Sequence, residues 1–225
     1  MDPTELADTI EFPTLDPGIT LLSMDERATG ALQSLVLDHL LLNPGEAYWV
    51  DARNNAVTTT LSQVAPSMRI LDRIQVARAF TAFQHHSIVA DLADVIDTSP
   101  SIIVLPDVDW FYTGNDLARG EGTRMLEDVF GMLTDIAAEL QVPVVVSSAA
   151  DGEAGEPLPT AAETVIECTL TQFGPRFSGS EFETLMFDCG TGVQTTLAFW
   201  RRILHARHPQ QISESAPEVS AIGSH

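Results

Sequence analysis

The residues best placed to do chemistry lie in segment 24–31, between a short apolar run and an amphipathic pattern. A mononucleotide-binding fold has its phosphate loop at such a place, with glycines for close backbone approach, a Lys for the phosphates and a Ser or Thr for Mg²⁺. Here Gly30 falls at the Lys position and Ala31 at the Ser/Thr position; a shift by one residue puts Ala31 at the Lys position. Neither register has the Lys, and Asp25 and Glu26 would repel a triphosphate. The sequence therefore predicts a nucleotide-binding scaffold without its phosphate chemistry.

Two acids and one arginine also follow apolar runs that are typical of strands. Asp107 and Asp109 come after the run 101–105, and carboxylates at such a place can bind Mg²⁺. In a chain with so many acids, we interpret both as surface carboxylates. Arg53 follows the run 47–52, where it could cap the end of a strand or pair with Asp107.

The histidines and cysteines do not predict a metal site. His85 and His86 are interpreted as helix-surface or hydrogen-bonded residues, because no third ligand is spaced to join them. Cys168 and Cys189 lack a C-x-x-C partner and lie among apolar residues, which indicates buried thiols in a reducing compartment. We therefore expect no metal.

Charge is the most unusual property of the composition. The chain has 225 residues with 32 acids, 11 bases and a formal net charge of −21; every base is Arg, and no Lys is present. An acidic, Lys-free surface around a core with 44% hydrophobic content resembles that of proteins adapted to molar salt, which screens repulsion between like charges. We expect a halophilic, cytoplasmic protein that loses stability at low salt. No apolar run approaches the roughly 20 residues that span a bilayer.

The elements that must position these residues alternate between strands and helices. Apolar runs predict strands at 19–22, 47–52, 74–80, 101–105, 143–147, 164–172 and 182–187. Helical spacing predicts helices at 32–42, 56–64, 84–96, 116–140 and 195–206. The alternation predicts an α/β fold with a mostly parallel sheet, in which ligands bind beyond the carboxyl ends of the strands.

The same pattern divides the chain into three parts. Residues 1–15 have little periodicity and predict an extended arm on the surface or on a neighbour. Residues 16–206 form one core domain, and 207–225 are expected to be a disordered tail.

Two stretches resemble the ATPase core of the RecA/RadA/RadB recombinase superfamily. The residues V-A-R-A-F at 76–80, followed by Q-H-H at 84–86, are similar to an archaeal recombinase strand that precedes a helix. The runs W-V-D at 49–51 and V-V-V-S at 144–147 fall where that family has other core strands. The resemblance covers about residues 16–170. It implies a three-layer RecA-like fold with a mostly parallel central sheet and antiparallel late strands.

The working residues that the family implies are missing from this sequence. The catalytic Glu position holds Arg53, and a guanidinium cannot act as a general base toward water. The Walker B Asp position holds Pro106, and the γ-phosphate-sensing Gln position holds Ala149. The resemblance thus implies an inactivated ATPase of a halophilic archaeon, not an enzyme and without a cofactor. Its degenerate nucleotide pocket would include Asp25, Gly30, Ala31, Arg53 and Asp107. Because several groups are lost together, we expect Ala31→Lys alone to change nothing.

With its catalytic residues missing, the resemblance implies that the protein binds a partner. The loop 150–157, where the family binds DNA, has three acids and no base, so little direct DNA binding is expected. The candidate partner surface comprises Trp110, Phe111, Tyr112, Phe173, Arg176 and Phe177. The aromatic residues 110–112 could equally be core cover, and 174–179 could be a hairpin turn.

The resulting hypothesis is a non-catalytic scaffold or accessory factor in DNA recombination, repair or replication. Its protein partner would be a recombinase or a DNA polymerase. Two alternatives remain open. One is an atypical KaiC-like nucleotide-binding regulator that uses Asp107 and an arginine, and the other is an adaptor unrelated to DNA.

Overall fold

A computed structural model describes residues 12–24, 28–56, 58–96, 99–113, 117–148, 161–171, 174–180 and 196–209. The strands are β1 (Gly18–Met24), β2 (Glu46–Asp51), β3 (Ile74–Arg78), β4 (Pro100–Leu105), β5 (Pro143–Val146), β6 (Thr164–Thr171) and β7 (Gly174–Ser178). The α-helices are α1 (Ala31–Leu42), α2 (Thr58–Val64), α3 (Ala82–Val95), α4 (Glu121–Leu140) and α5 (Thr196–Arg207). A 3₁₀ helix, Met68–Arg73, precedes β3.

The seven described strands form one sheet in the order β3-β2-β4-β5-β1-β6-β7. The strands β1 to β6 are parallel, and β7 pairs antiparallel with β6. Since β4 and β5 separate β1 from β2, the order differs from that of dinucleotide-binding folds, in which β1 and β2 are neighbours. The prediction of an α/β fold with a mostly parallel sheet and an antiparallel late strand is confirmed.

Helices cover both faces of the sheet. One core lies between the sheet and the helices α1, α2 and α5, and the other lies between the sheet and α3 and α4. The strand β4 contributes to both cores, as expected for the continuous apolar run Ser-Ile-Ile-Val-Leu. The helix α1 is buried almost all round, because α2, α5 and the 3₁₀ helix pack against it.

The predicted bounds of most described elements differ from the observed ones by no more than two residues, but the long helix begins at Glu121 instead of 116. The segment Gly174–Ser178 is a strand, so its interpretation as a turn is wrong; its residue Gly174 pairs with Thr171 of β6. The predicted strand 182–187 and the acidic loop 150–157 lie outside the described residues.

The ends of the core domain also differ from the prediction. Phe12 and Leu15, assigned to a surface arm, are buried in the core. The ring of Phe12 packs against Phe177 and Trp200, with centroids 5.6 and 5.5 Å away. At the other end His208, assigned to the disordered tail, is buried as well. The core therefore extends beyond 16–206 at both ends.

Candidate functional site

The start of α1, where a phosphate would bind, is covered by α5. Gly30 caps the helix with φ +85°, and a Cβ built there would lie 2.6 Å from a methyl carbon of Leu197 and 3.3 Å from the indole of Trp200. Ala31 is 0% exposed. A Lys at that position would have to enter the core, so the structure predicts that Ala31→Lys destabilises the protein, whereas the sequence predicted no effect. Asp25 lies outside the described residues.

The ion pair anticipated between Arg53 and Asp107 is present. Arg53 Nη1 lies 3.6 Å from Asp107 Oδ2, and the guanidinium carbon lies 4.0 Å above the ring of Trp110. Asn55 Nδ2 donates a hydrogen bond of 2.9 Å to the same Asp107 oxygen. Asp107, which the sequence offered as a possible magnesium ligand, is therefore paired with an arginine and hydrogen-bonded by its own chain.

Asp51, which sequence reasoning treated only as part of a strand, organises the loop after β2. Its Oδ1 accepts hydrogen bonds from the main-chain N–H groups of Asn55 (2.6 Å) and Ala56 (3.3 Å), and its Oδ2 accepts one from Arg78 Nε (2.9 Å). The carboxylate is fully buried. An Asp that ends a strand before a turn is the signal that could have identified it, because Asp side chains cap nearby main-chain N–H groups.

The interpretation of Asp107 and Asp109 as surface acids is wrong. Asp109 is fully buried and accepts a hydrogen bond of 2.7 Å from Ser148 Oγ. The side chain of Asp107 is 15% exposed, and its main-chain N–H donates to Ser147 Oγ at 3.0 Å. The end of β5 thus holds the loop after β4. In the part of the chain described, no three His, Cys, Asp or Glu side chains come together as a metal site.

The histidine at position 85 is a core residue. His85 Nδ1 and the hydroxyl of Tyr112 share a hydrogen bond of 2.8 Å, and both side chains are buried. Burial, with a smaller effect from His86, lowers the pKa of His85 to about 4, and burial raises the pKa of Tyr112. Both groups are neutral at pH 7, so this pair connects α3 to the loop after β4 without a charge.

The candidate partner surface is only partly exposed. Tyr112 and Phe177 are buried, so their assignment to a surface is wrong. Phe111 is half-buried, and Arg176 is partly buried on β7. Trp110 is 44% exposed. Phe173 lies outside the described residues.

A second surface with exposed apolar residues, on α3, β2 and β3, was not identified from the sequence. A groove of about 630 Å³ runs between α3 and the strands β2 and β3. Its lining consists of Glu46, Tyr48, Trp49, Val50, Gln75, Val76, Ala77, Ile88, Asp91, Leu92 and Val95. The lining residue Val95 is exposed, as are Phe83 at the start of α3 and Phe80, which follows β3 and is 72% exposed. The sequence signal was the run 76–80, which the sequence analysis used to predict a strand and a family resemblance but not an exposed surface.

A buried ion cluster holds α5 against α1. Asp38 accepts hydrogen bonds from Arg207 Nε (2.8 Å) and Nη2 (3.2 Å), and His208 Nε2 lies 2.8 Å from it. Burial by itself raises the pKa of Asp38, but hydrogen bonds and charges of His208 and Arg207 outweigh it and lower the pKa below its usual value. This cluster fixes the helix that covers the start of α1.

Comparison of the sequence with protein-family models and with curated proteins finds no match to this chain. None of the helices in the described ranges combines the length and the apolar character needed to cross a bilayer.

Proposed function

We propose that this protein is a non-catalytic, RecA-like scaffold or accessory factor that binds another protein in DNA recombination, repair or replication. The observation that carries the non-catalytic part is the closed start of α1, where Leu197 and Trp200 lie against Gly30. The DNA-related part rests on the resemblance of residues 76–80 to archaeal recombinases.

The contacts around Asp107 support the loss of catalysis. A carboxylate that binds Mg²⁺ for ATP hydrolysis must offer its oxygens to the metal. Here Oδ2 of Asp107 accepts a hydrogen bond from the amide of Asn55 and forms an ion pair with the guanidinium of Arg53. The KaiC-like alternative would need these contacts to break before Asp107 could act, which makes it the weaker hypothesis.

The edge of β3 supplies a surface that suits a scaffold. β3 is the end strand of the described sheet, and its residue Val76 is exposed. An extended segment of a partner protein can add a strand to such an edge, with main-chain hydrogen bonds for affinity and side-chain pockets for specificity. The groove behind β3 and the exposed rings of Phe80 and Phe83 would bury apolar side chains of that segment. We therefore propose that the partner binds along β3.

The position of α3 keeps these rings beside the edge strand. The hydroxyl of Thr81 accepts a hydrogen bond of 3.2 Å from the N–H of Gln84, and the side chain of Gln84 accepts one of 2.9 Å from the N–H of Phe80. This reciprocal arrangement resembles a capping box, which fixes the start of a helix. The rings are thus held at the carboxyl end of β3.

Two measurements test the proposal. Calorimetry with MgATP at molar KCl should detect no binding tighter than millimolar, and micromolar affinity would overturn the non-catalytic part. A photo-crosslinking residue placed at Phe80 in cells should capture a recombinase or DNA polymerase, identified by mass spectrometry. The control carries the crosslinker at Ala138, an exposed residue of α4 on the second helix of the same layer. Captured partners from outside DNA metabolism would overturn the DNA-related part and favour the adaptor alternative. Equal capture from both positions would overturn docking at β3.

A further inference from the structure

The groove behind β3 has acids but no base in its lining. Glu46 and Asp91 are its charged lining residues, and the remainder is apolar except for Gln75 and the hydroxyl of Tyr48. Phe80, which follows β3, and Phe83 on α3 are exposed apolar side chains without charge. The groove therefore combines a place for an apolar side chain with a local negative charge.

We infer that the segment bound in this groove carries an Arg or Lys next to its apolar anchor residue. This inference rests on the docking surface proposed above and adds the chemistry of the partner. Opposite charges across an interface favour the correct partner and disfavour others, since juxtaposed like charges are unfavourable. An apolar segment flanked by acids would meet repulsion in this groove.

Glu46 can exchange its present contacts for a cation. The hydroxyl of Tyr48 donates to one oxygen of Glu46 and the amide of Gln75 donates to the other, each at 3.4 Å. These are long contacts, at the edge of what counts as a hydrogen bond. The charge of Arg73 also acts on Glu46. The N–H groups of Arg73, however, donate hydrogen bonds to the main-chain carbonyls of Leu40, Asn43 and Gly45.

Asp91 contributes the second charge from the opposite wall. It lies on α3 one turn after Ile88 and one turn before Val95, and residues at this spacing share a face of a helix. Its side chain is exposed. A cation in the groove would therefore meet one carboxylate from the strand side and one from the helix side, with apolar contacts between them.

The charge also disfavours a second copy of this chain as the occupant. The chain has a formal net charge of −21 and no Lys. A second copy would bring this net negative charge toward Glu46 and Asp91. A distinct protein with a basic, apolar segment fits the groove better.

Short extended peptides of about a dozen residues test this inference, since a strand added to β3 needs no more than that length. Three fluorescent peptides share one Phe anchor and differ only in the flanking residue, which is Arg, Gln or Glu. Binding is measured by fluorescence polarisation at the lowest KCl concentration at which the circular dichroism spectrum remains that of the folded protein. We expect the Arg peptide to bind about three- to fivefold more tightly than the Gln peptide, the size typical of an exposed ion pair, and the Glu peptide to bind most weakly.

Charge-neutralised variants test whether the preference for the Arg peptide arises from the two acids of the groove. Glu46→Gln and Asp91→Asn, singly and together, should remove the preference for Arg while the Gln peptide still binds. Asp94→Asn is the matched control, because Asp94 is an exposed acid of the same helix that does not line the groove; it should keep the preference. Equal binding of the three peptides by the parent, or an unchanged preference in the double variant, would overturn this inference and leave docking at β3 standing. Binding of none of the peptides would overturn the docking surface itself.

Discussion

The replacement Ala31→Lys places a Lys where one register of a phosphate loop would have it, and we expect it to destabilise the protein. Ala31 is 0% exposed, and Gly30 beside it has α5 side chains within van der Waals distance of any added Cβ. Forcing extra methylene groups into a packed core costs about 1–3 kcal/mol. Full burial lowers the pKa of a Lys amine by about 3–5, so the amine would lose its proton at pH 7. Deprotonating an ordinary Lys at that pH costs about 4–5 kcal/mol.

The free energy of unfolding is thus expected to fall by about 5–8 kcal/mol. This is comparable to the whole stability of many domains, about 5–15 kcal/mol. Urea titration at molar KCl, followed by the fluorescence of the buried Trp49 and Trp200, would measure it. Ala31→Met has a similar chain length without the charge and should lose only the packing part. Ala138→Lys, on the exposed side of α4, should be nearly neutral.

The pH dependence separates the charge from the packing. The pKa of the buried amine is lower in the folded than in the unfolded state, so the unfolded state binds one more proton at pH 7. The loss in the free energy of unfolding therefore shrinks as pH rises toward the unfolded pKa. Raising the pH from about 7 to about 9 should increase the free energy of unfolding of Ala31→Lys by roughly 2–3 kcal/mol relative to that of Ala31→Met. If Ala31→Lys were as stable as Ala31→Met at pH 7, or gained micromolar ATP affinity, the start of α1 would be open and the reasoning refuted.

Two further predictions concern charge. Asp38→Asn should lower the free energy of unfolding by about 3–5 kcal/mol at pH 7, since it leaves Arg207 and His208 without their buried carboxylate. The folded pKa of Asp38 is lowered, so its contribution is complete above the unfolded value of about 3.8 and disappears as pH falls through the folded pKa. Denaturation curves at several pH values should therefore show parent and variant converging in acid, and a constant difference would contradict this. Lowering KCl from molar to about 0.1 M, where the Debye length grows to roughly 10 Å, should expand or unfold a chain of charge −21; an unchanged circular dichroism spectrum would contradict the halophilic interpretation.

The strands were predictable where a short apolar run was bounded by turn residues. The run 101–105 became β4, and 143–147 became β5, because strands buried on both faces must be apolar throughout. β7 was missed because its first residues, Gly174 and Pro175, are typical of a turn. Pro175 is tolerated because β7 is the last strand of the described sheet, where an N–H that would point outward is not needed.

The contacts of the candidate site were predictable only where the order of neighbouring strands along the chain determined them. Arg53 and Asp107 follow neighbouring parallel strands, β2 and β4, so their pairing could be anticipated from the sequence. The cover over Gly30 comes from Leu197, far along the chain, and Asp38 is paired with a residue 169 positions away. No local pattern encodes such contacts. The burial of Asp109 depends likewise on Ser148, which follows a different strand.

The carboxylates of Asp51 and Asp107 are both bound by groups of this chain, which supports the proposed non-catalytic role. Asp51 is bound by two main-chain N–H groups and an arginine, and Asp107 by an amide and another arginine. Removing one member of such a network leaves a buried partner unpaired, which costs more than the pair contributes. Replacing a single member of this network would therefore cost stability. A nucleotide at the start of α1 would in addition require α5 to move away from Gly30. The groove between α3 and the strands β2 and β3 is a separate surface of the same strands, and its lining residue Val76 is exposed.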